Sequence, residues 1–470
     1  MIINEQKITG ILNSNISEHP KCAHGPTLLF QRTYNDNKIK YFYACSACRD
    51  RKLCNFYLEK DQQMTLSQKK LWDQQLQKLS KSYNHQKCFI RFNQLLCESP
   101  DKRLYCHTCE ELLSSNDSHK HTNHELTFNL TDDQMMNPTT FLRPLSDAKK
   151  EAQYLFSTKA TVDIVDMILN QGIKHVLCIG APRIHEFLTQ HYKEQVSSLL
   201  LDFDKRFHNF FGPLEYCWYN LFNNYFFKNE SKQVFKDFLT QNNGKDILLI
   251  CDPPFGGRVE FISQTLRTIS DLHKKWNKSL GEDELKIMFI FPYFMESIMK
   301  FKANPTDIDG GLKNLRMTDY KVDYDNHPLF ITESNTGRKY GSPVRLFTNI
   351  PLHLLKLPEK DGYRYCKKCL RWVSAENKHC KKCKECTSKD GRQYQHCNKC
   401  QKCVKPTWKH CEVCQRCALE NHSCEIVQQL DTTKHDLINK NSKKSLPKSR
   451  LKRKKHRIED VSNKKKKKLL

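Results

Sequence analysis

Cysteine and histidine residues in the C-terminal part of the chain recur at a spacing that suits tetrahedral metal sites. Three repeats begin at His379 (HCKKCKEC), His396 (HCNKCQKC) and His410 (HCEVCQRC). Residues 363–424 hold 12 cysteines and 4 histidines, which four sites of three thiolates and one imidazole would use completely. The segment has almost no long apolar run, so we expect zinc binding and folding to be one event. The sequence leaves the pairing open, because neighbouring sites can interleave. The predicted ligands of this array are Cys366, Cys369, His379, Cys380, Cys383, Cys386, His396, Cys397, Cys400, Cys403, His410, Cys411, Cys414, Cys417, His422 and Cys424.

A second Cys/His group lies in residues 88–127. Cys106 and Cys109 form a Cys-x2-Cys pair, and His119 and His124 form a His-x4-His pair, which is a normal spacing for zinc ligands. His121 is the alternative first histidine. The loop is short for a finger that reads DNA, so we expect this finger to pack against the rest of the protein in a structural role.

A different kind of chemistry is indicated by Asp252, Pro253, Pro254 and Phe255, which directly follow the apolar run DILLIC. Prolines fix the backbone and have no N–H donor, so the Asp252 carboxylate and the Pro253 carbonyl can both accept hydrogen bonds from one amino group. Accepting both protons would free the nitrogen lone pair to attack an electrophile. Phe255 could stack on the planar group that carries this nitrogen, such as a base extruded from a helix. An ordinary turn after a strand is the alternative interpretation of Asp-Pro-Pro.

The elements that must position these four residues lie between about residues 145 and 357. The runs HVLCIG, SSLLLDFD, ILLICDPPF and KIMFIFPYF read as buried strands and alternate with helical stretches, which predicts an α/β domain with a mostly parallel sheet covered on both faces. Such sheets bind ligands at the carboxyl ends of their strands. Asp202 closes the second run, where it could accept hydrogen bonds from a cofactor ribose, whereas Gly180 stands alone in the first turn. Upstream, residues 66–83 are rich in Gln, Lys and Leu and predict a connecting helix.

Length and charge bound the broad class of the protein. A chain of 470 residues has room for about two to four domains. Of the net charge of +26, the last 108 residues hold +21, which predicts a nucleic-acid partner, with nuclear import as the competing role of the tail. The mean hydropathy of −0.72 and the absence of a long apolar run exclude a membrane protein, and no signal-peptide pattern begins the chain. We therefore expect an intracellular protein with reduced cysteines.

The motifs together resemble a known family. DPPF is similar to the (D/N)PP(Y/F/W) motif of amino methyltransferases, and the chain as a whole resembles the CCHC zinc-finger ribosomal RNA methyltransferases. The resemblance rests on CAHG with FYACSACRDRKLCNFY, on YCHTC, on AQYLF, CIGAPRIHE, LLLDFD, YNLF, DPPFGG and FPYF, and on the cysteine-rich array. It implies a Rossmann-like, S-adenosylmethionine-dependent enzyme that makes N6-methyladenosine in large-subunit (28S-type) ribosomal RNA. It also implies ribosome-assembly factors as further partners, and the nucleus and nucleolus as location, with the cytoplasm as a further site.

The resemblance also implies roles for individual residues. Asp252, Pro253, Pro254 and Phe255 would be the catalytic residues. In the GRF-type finger at residues 20–60, Cys48 is a spare cysteine that could replace Cys45 as a ligand. Core packing is the alternative role for the aromatic members of the cofactor set. Residues 425–470 would form a basic disordered tail. The implied ligands of the GRF-type finger are Cys22, His24, Cys45 and Cys54. The implied cofactor-binding residues are Gln153, Tyr154, Leu155, Phe156, Arg183, Asp202, Asn220, Leu221 and Phe222.

Two other functions compete with RNA methylation. The DPPF sequence does not choose among planar amines, so an N6-adenine DNA methyltransferase or a protein-glutamine methyltransferase would use the same pocket. A zinc-based RNA-binding scaffold with an inactive methyltransferase domain is the third hypothesis, and the intact DPPF sequence weighs against it.

Overall fold

The computed structural model describes residues 7–12, 15–47, 53–81, 83–144, 153–278, 281, 283–302, 311–327 and 341–424. The chain divides into two compact units, Met1–Trp408 and Lys409–Leu470, and the two are described separately below. Two of the predictions, on Cys48 and on the basic tail at residues 425–470, lie outside the described residues. Among the described residues, none of the helices is long and apolar enough to cross a membrane.

A small antiparallel sheet carries the first group of cysteines. Its strands are ordered β1-β4-β5-β6, and a short hairpin, β2–β3, precedes β4. Alternation along the strands turns Leu28, Phe30 and Phe42 to one face, where they pack against Phe261. The bounds are β1 (Lys7–Ile11), β2 (Lys21–Cys22), β3 (Gly25–Pro26), β4 (Leu28–Thr33), β5 (Ile39–Ala44) and β6 (Tyr57–Glu59).

The predicted connecting helix is present as α1 (Leu66–Lys81), and α2 (His85–Leu96) follows it. The side chain of Asn84 caps α2 by accepting a hydrogen bond from the backbone N–H of Lys87 at 3.0 Å. The second finger then forms a three-stranded sheet in the order β8-β7-β9, and α3 carries a capping box. The bounds are β7 (Arg103–Cys106), β8 (Glu111–Ser114), β9 (Leu126–Phe128) and α3 (Asp132–Met136).

An eight-stranded sheet forms the centre of the first unit, in the order β13-β12-β11-β10-β14-β15-β17-β16. The five strands β12, β11, β10, β14 and β15 are parallel to one another. The strands β13, β17 and β16 pair antiparallel with their neighbours. This confirms the prediction of a mostly parallel sheet. The bounds are β10 (His175–Ile179), β11 (Ser197–Asp202), β12 (Tyr216–Asn220), β13 (Tyr225–Phe226), β14 (Ile247–Cys251), β15 (Lys286–Pro292), β16 (Arg316–Lys321) and β17 (Val344–Thr348).

Both faces of this sheet are buried, because successive side chains of one strand enter different cores. Val176 and Cys178 of β10 belong to one core, and Leu177 and Ile179 belong to the other. Strands buried in this way read as continuous apolar runs, which explains why they were visible in the sequence. The helices of this domain are α4 (Thr158–Leu169), α5 (Pro182–His191), α6 (Glu230–Leu239), α7 (Val259–Trp276) and α8 (Glu296–Lys302).

The cysteine-rich array consists of short hairpins. The first hairpin packs against β16, where the Asp319 carboxylate accepts hydrogen bonds from Arg371 at 3.0 Å, from the backbone N–H of Ser374 at 3.0 Å and from Asn377 at 2.7 Å. The pairs in the first unit are β18 (Tyr363–Cys366) with β19 (Arg371–Ser374), β20 (His379–Cys380) with β21 (Glu385–Cys386), and β22 (Gln395–Cys397) with β23 (Lys402–Val404). The last pair is β24 (Trp408–Cys411) with β25 (Arg416–Leu419).

Candidate active site

A cavity of about 210 Å³ lies at the carboxyl ends of the central parallel strands. The ends of β10, β11, β12 and β14 contribute to its wall, which is where a parallel sheet places a ligand. The wall is mostly apolar and carries a few polar groups. The lining residues are Ala47, Gln153, Tyr154, Ile179, Gly180, Pro182, Leu201, Asp202, Phe203, Asp204, Tyr219, Asn220, Leu221, Phe222, Asp252, Pro253, Pro254 and Phe255.

The single glycine of the first turn is required by a close approach of two strand ends. Gly180 has a φ of +63°, and a Cβ atom there would lie 2.8 Å from the carbonyl oxygen of Asp252. The backbone N–H of Asp252 donates to the carbonyl of Ile179 at 3.0 Å, which fixes this approach. A side chain at residue 180 would therefore push the DPPF segment away.

The Asp252 carboxyl lies on the floor of the cavity and has one partner that the sequence did not reveal. The Tyr324 hydroxyl donates a hydrogen bond to Asp252 Oδ1 at 2.8 Å. Burial raises the pKa of Asp252 well above its usual range, and the hydrogen bond from Tyr324 opposes this shift. Tyr324 is itself buried and pairs with Phe156 in an isolated antiparallel bridge. No motif marks Tyr324, because the contact spans 72 residues of sequence.

Two neighbouring aspartates, Asp202 and Asp204, lie at the end of β11. Asp202 Oδ1 accepts a hydrogen bond from the backbone N–H of Asp204 at 2.8 Å. Burial, together with the nearby charge of Asp204, raises the pKa of Asp202 to about 7. Asp204 in turn pairs with Arg206 at 2.6 Å and accepts a hydrogen bond from Gln153 at 3.2 Å. Gln153 is thereby held at the cavity wall beside Asp202.

The first finger forms part of the cavity wall. Ala47 lines the cavity, and its neighbour Ser46 accepts hydrogen bonds through Oγ from Asn220 at 2.8 Å and from Asn223 at 2.9 Å. The same two amides donate to the carbonyl of His24 at 3.1 Å and 3.3 Å, and Asn223 also donates to that of Pro26 at 2.7 Å. The end of β12 and the finger loops are therefore joined by hydrogen bonds in a buried interface.

Four residues of that finger form a compact cluster. The ligand atoms of Cys22, His24, Cys45 and Cys54 all lie within 4.8 Å of one another, and Cys45 Sγ is 3.4 Å from His24 Nδ1. This is the set that the sequence resemblance implied. Three thiols and an imidazole at this separation could hold one metal ion.

The second finger corrects one predicted ligand. Cys106, Cys109, His121 and His124 form the cluster, and Cys109 Sγ lies 3.5 Å from His121 Nδ1 and 3.3 Å from His124 Nδ1. His119, which the His-x4-His spacing had favoured, is not in the cluster. Its Nδ1 donates to the carbonyl of Asn116 at 2.9 Å within a 3-10 turn. The turn brings His121 to the cluster and leaves His119 outside it.

The array clusters interleave. In each cluster, a Cys-x2-Cys pair is joined by a histidine and a cysteine that come later in the chain. Cys366 and Cys369, for example, cluster with His379 and Cys386. In the second unit, Cys411 Sγ lies 3.3 Å from Cys424 Sγ, and Cys414 Sγ lies 3.4 Å from His422 Nε2. The clusters within the first unit are Cys366, Cys369, His379 and Cys386, followed by Cys380, Cys383, His396 and Cys403. The array residues that these sets leave over are Cys397, Cys400, His410 and Cys417.

Five Cys-x2-Cys pairs, which begin at Cys106, Cys366, Cys380, Cys397 and Cys411, end in the same local backbone. The residue after the second cysteine has a left-handed φ in the second finger and in all four hairpins of the array: Glu110, Leu370, Lys384, Gln401 and Gln415. In the pairs that begin at Cys106 and Cys380, the second cysteine donates its backbone N–H to the first sulfur at 3.3 Å and 3.4 Å. A repeated strained turn with N–H groups aimed at sulfur indicates a site shaped for a bound cation.

Comparison with known proteins identifies the family. The family described as Probable N6-adenine methyltransferase matches residues 147–329. The rRNA N(6)-adenosine-methyltransferase ZCCHC4 of Homo sapiens is 38% identical over 371 residues, which are 77% of this chain and 69% of that protein. The proteins of the same name from Mus musculus and Xenopus tropicalis are 40% and 37% identical over 370 residues, 77% of this chain and 69% and 74% of theirs.

This chain belongs to the ZCCHC4 family of rRNA N6-adenosine-methyltransferases. Of the nine cofactor-binding residues that the resemblance implies, the six that line the cavity are Gln153, Tyr154, Asp202, Asn220, Leu221 and Phe222.

Three of the implied cofactor residues lie elsewhere. Leu155 and Phe156 are buried in the protein, and Phe156 belongs to the core on one face of the sheet, so the alternative of core packing describes it. Arg183 donates to the carbonyl of Phe156 and pairs with the Asp325 carboxylate. Its role here is to hold the segment that contains Tyr154 against α5, next to the cavity and not in its lining.

Proposed function

We propose that this protein transfers a methyl group from S-adenosylmethionine to the N6 nitrogen of an adenosine in large-subunit ribosomal RNA. The observation that carries the proposal is the placement of Asp252 on the floor of a cavity at the carboxyl edge of a parallel sheet. Membership of the family supports ribosomal RNA adenosine as the substrate.

The cavity suits the proposed cofactor. Ile179, Leu201 and Tyr219 offer apolar surface, and Asp202 and Gln153 offer polar groups for a ribose and an amino-acid moiety. The strand order around β10 and the turn at Gly180 support a Rossmann-like fold for residues 145–357, with finger domains at 20–60 and 88–127 and an array at 363–424.

The proposed mechanism uses three groups of this chain. The Asp252 carboxylate and the Pro253 carbonyl accept hydrogen bonds from the two N–H groups of the target amine, and Phe255 stacks on the base. The cofactor, when bound, supplies an electrophilic methyl carbon on a sulfonium. With both N–H groups held by Asp252 and Pro253, the N6 lone pair would be free to attack that carbon, and the C–S electron pair would stay on sulfur. The methylated nitrogen then gives up one proton, which Asp252 is placed to accept because burial raises its pKa.

The Cys/His clusters fit zinc by their donor chemistry, since thiolate and imidazole are the ligands of structural zinc sites. We propose about six zinc ions, two in the fingers and four in the array. The basic array and tail would bind RNA, and ribosome-assembly factors and a nuclear and nucleolar location are part of the same proposal.

Mapping of N6-methyladenosine in ribosomal RNA, with and without the protein, tests this function. Purified wild type should methylate one adenosine, and Asp252→Ala should lose on the order of a hundredfold or more of the rate with unchanged affinity for the cofactor. DNA and glutamine-containing protein fractions run in parallel. Methylation of those fractions alone would support the alternative substrates, and failure to bind S-adenosylmethionine would support the scaffold. Wild-type turnover by Asp252→Ala would refute the catalytic assignment.

A further inference from the structure

A second cavity, of about 620 Å³, lies between the N-terminal sheet and the segment that follows the DPPF sequence. One wall comes from the inner face of that sheet and includes Phe30, Phe42 and Tyr57. The lining also includes Met295 and Phe261, near the start of α7, whose ring meets that of Phe30 edge-on with the centroids 5.7 Å apart. Its volume is within the range of about 300 to 1,000 Å³ that is typical of ligand sites.

The two cavities adjoin. Ala47, Phe222 and Pro254 line both of them. Pro254 belongs to the motif that holds the target adenine in the proposed function. A single strand that brings this adenine to the DPPF segment, at the edge of the first cavity, would therefore bring a neighbouring nucleotide to the mouth of the second.

The lining suits a nucleobase. The rings of Phe30 and Phe42 lie 5.6 Å apart at 25°, and those of Phe42 and Tyr57 lie 5.1 Å apart at 26°, which gives a row of nearly parallel rings. The Arg32 guanidinium lies 4.9 Å from the centroid of Phe42. Aromatic rings with arginine are the surfaces on which proteins stack unpaired bases.

Arg32 also has an unused donor. Its Nε is buried and has no hydrogen-bond partner within the part of the chain that the structure describes. An unpaired buried donor is unfavourable, and the edge of a nucleobase carries acceptors that would satisfy it. The other arginine of the lining, Arg258, already donates to Glu260 at 3.2 Å. The Glu260 carboxylate would repel a phosphate, so the cavity suits a base better than the RNA backbone.

We propose that this second cavity binds the base of a nucleotide that flanks the target adenosine, with Arg32 as its hydrogen-bond donor. The proposal rests on the proposed RNA substrate and adds a subsite that selects the sequence around the methylated position.

An abasic scan tests the subsite. Ribosomal RNA oligonucleotides with an abasic site at each position around the target are methylated by wild type, Arg32→Met and Ala44→Phe, the last of which fills the cavity. Wild type should lose about five- to a hundredfold in kcat/KM at one flanking position. Both variants should show a similar loss on intact RNA and no further loss with the abasic RNA. Lys40→Met is the matched control, because Lys40 faces Arg32 across β4 and β5 without lining the cavity, and it should behave as wild type.

The outcomes separate the subsite from the function. Methylation by wild type that is insensitive to every flanking base, or an equal abasic penalty in wild type and Arg32→Met, overturns the subsite and leaves the proposed function intact. If wild type methylates no RNA, the fluorescence of 2-aminopurine at each flanking position decides the subsite alone. Quenching by wild type but not by Arg32→Met supports it, and equal fluorescence overturns it. Each variant is first checked for the zinc content and cofactor affinity of wild type. If neither variant passes this check, the abasic scan of wild type alone decides whether the subsite exists.

Discussion

At the scale of single residues, the carboxyl group of Asp252 depends on a partner far away in sequence. Tyr324 donates to Asp252 Oδ1 at 2.8 Å, and its ring lies 5.2 Å from Phe156 and 5.8 Å from Phe255. One carboxyl oxygen is thus occupied by a protein donor, and the other remains for the target amine in the proposed mechanism. Tyr324 is a positioning residue in this arrangement.

Tyr324→Phe should move the acid limb of the pH–rate profile to higher pH. The hydrogen bond from Tyr324 lowers the raised pKa of Asp252, so its removal raises that pKa further. Activity falls as the pH drops through this pKa, because the protonated carboxyl loses an acceptor. We expect a shift of about one pH unit, since a hydrogen bond to a charged group contributes about 1.5 to 3 kcal/mol. Tyr320→Phe, which breaks a buried bond to Asp163 at 2.9 Å elsewhere, should leave the limb in place. An unshifted limb in Tyr324→Phe would contradict this role.

A second residue-scale prediction concerns the ligand choice in the second finger. Wild type should contain about six zinc ions and His121→Ala about five, because His121 and not His119 lies in the cluster. His119→Ala is the matched control and should keep the full count. Elemental analysis of folded, gel-filtered protein measures both. A loss of zinc from His119→Ala with none from His121→Ala would restore the interpretation based on spacing.

At the scale of elements, the first finger and the end of β12 are one structure. Asn220 and Asn223 tie the strand end to the loops that carry His24 and Ser46, and Ala47 completes the cavity wall. A finger built in this way shapes the cofactor cavity in addition to any contact with RNA. Metal loss from this finger would therefore disturb cofactor binding.

Asn223→Ala should weaken binding of S-adenosylhomocysteine although Asn223 does not line the cavity. It removes the contacts of the Asn223 amide with the carbonyls of His24 and Pro26 and with Ser46 Oγ, and unpaired buried groups cost about 1 to 3 kcal/mol, so we expect roughly a tenfold loss of affinity. Calorimetric titration measures the affinity, and zinc content shows that the finger is intact. Asn229→Ala, at an exposed position before α6, serves as the control. Equal affinities in the two variants would show that the interface does not shape the cavity.

At the scale of the whole molecule, positive charge is concentrated in the C-terminal part of the sequence, more than 100 residues after Asp252. The last 108 residues carry +21, and residues 443–470 alone carry +12. Charge of this kind contributes affinity through release of counterions from phosphates, which does not depend on sequence.

Truncation of residues 443–470 should therefore weaken RNA binding and reduce the salt dependence of the binding constant, while the methylated position stays the same. Binding measured from low to high salt and mapping of the methylated adenosine in purified ribosomal RNA test both parts. Purified components separate this effect from nuclear import. Methylation of a different adenosine by the truncated protein would show that the tail takes part in choosing the target.

The sequence by itself determined the features that depend on local residue types. Continuous apolar runs marked four of the five parallel strands, because strands buried on both faces have few polar positions. The position of Asp252 directly after β14 and the number of Cys/His clusters also followed from the chain alone, because both depend on the order and the number of residues along it.

The tertiary structure decided everything that depends on where distant segments meet. It selected His121 over His119, placed Cys386 with Cys366 and Cys369, and turned Phe156 into the core. It also joined Tyr324 to Asp252 across 72 residues and Asn220 to the finger carbonyl of His24 across 196 residues. Spacing along the chain fixes which residues can reach a site, but the path of the backbone between them decides which atoms arrive there.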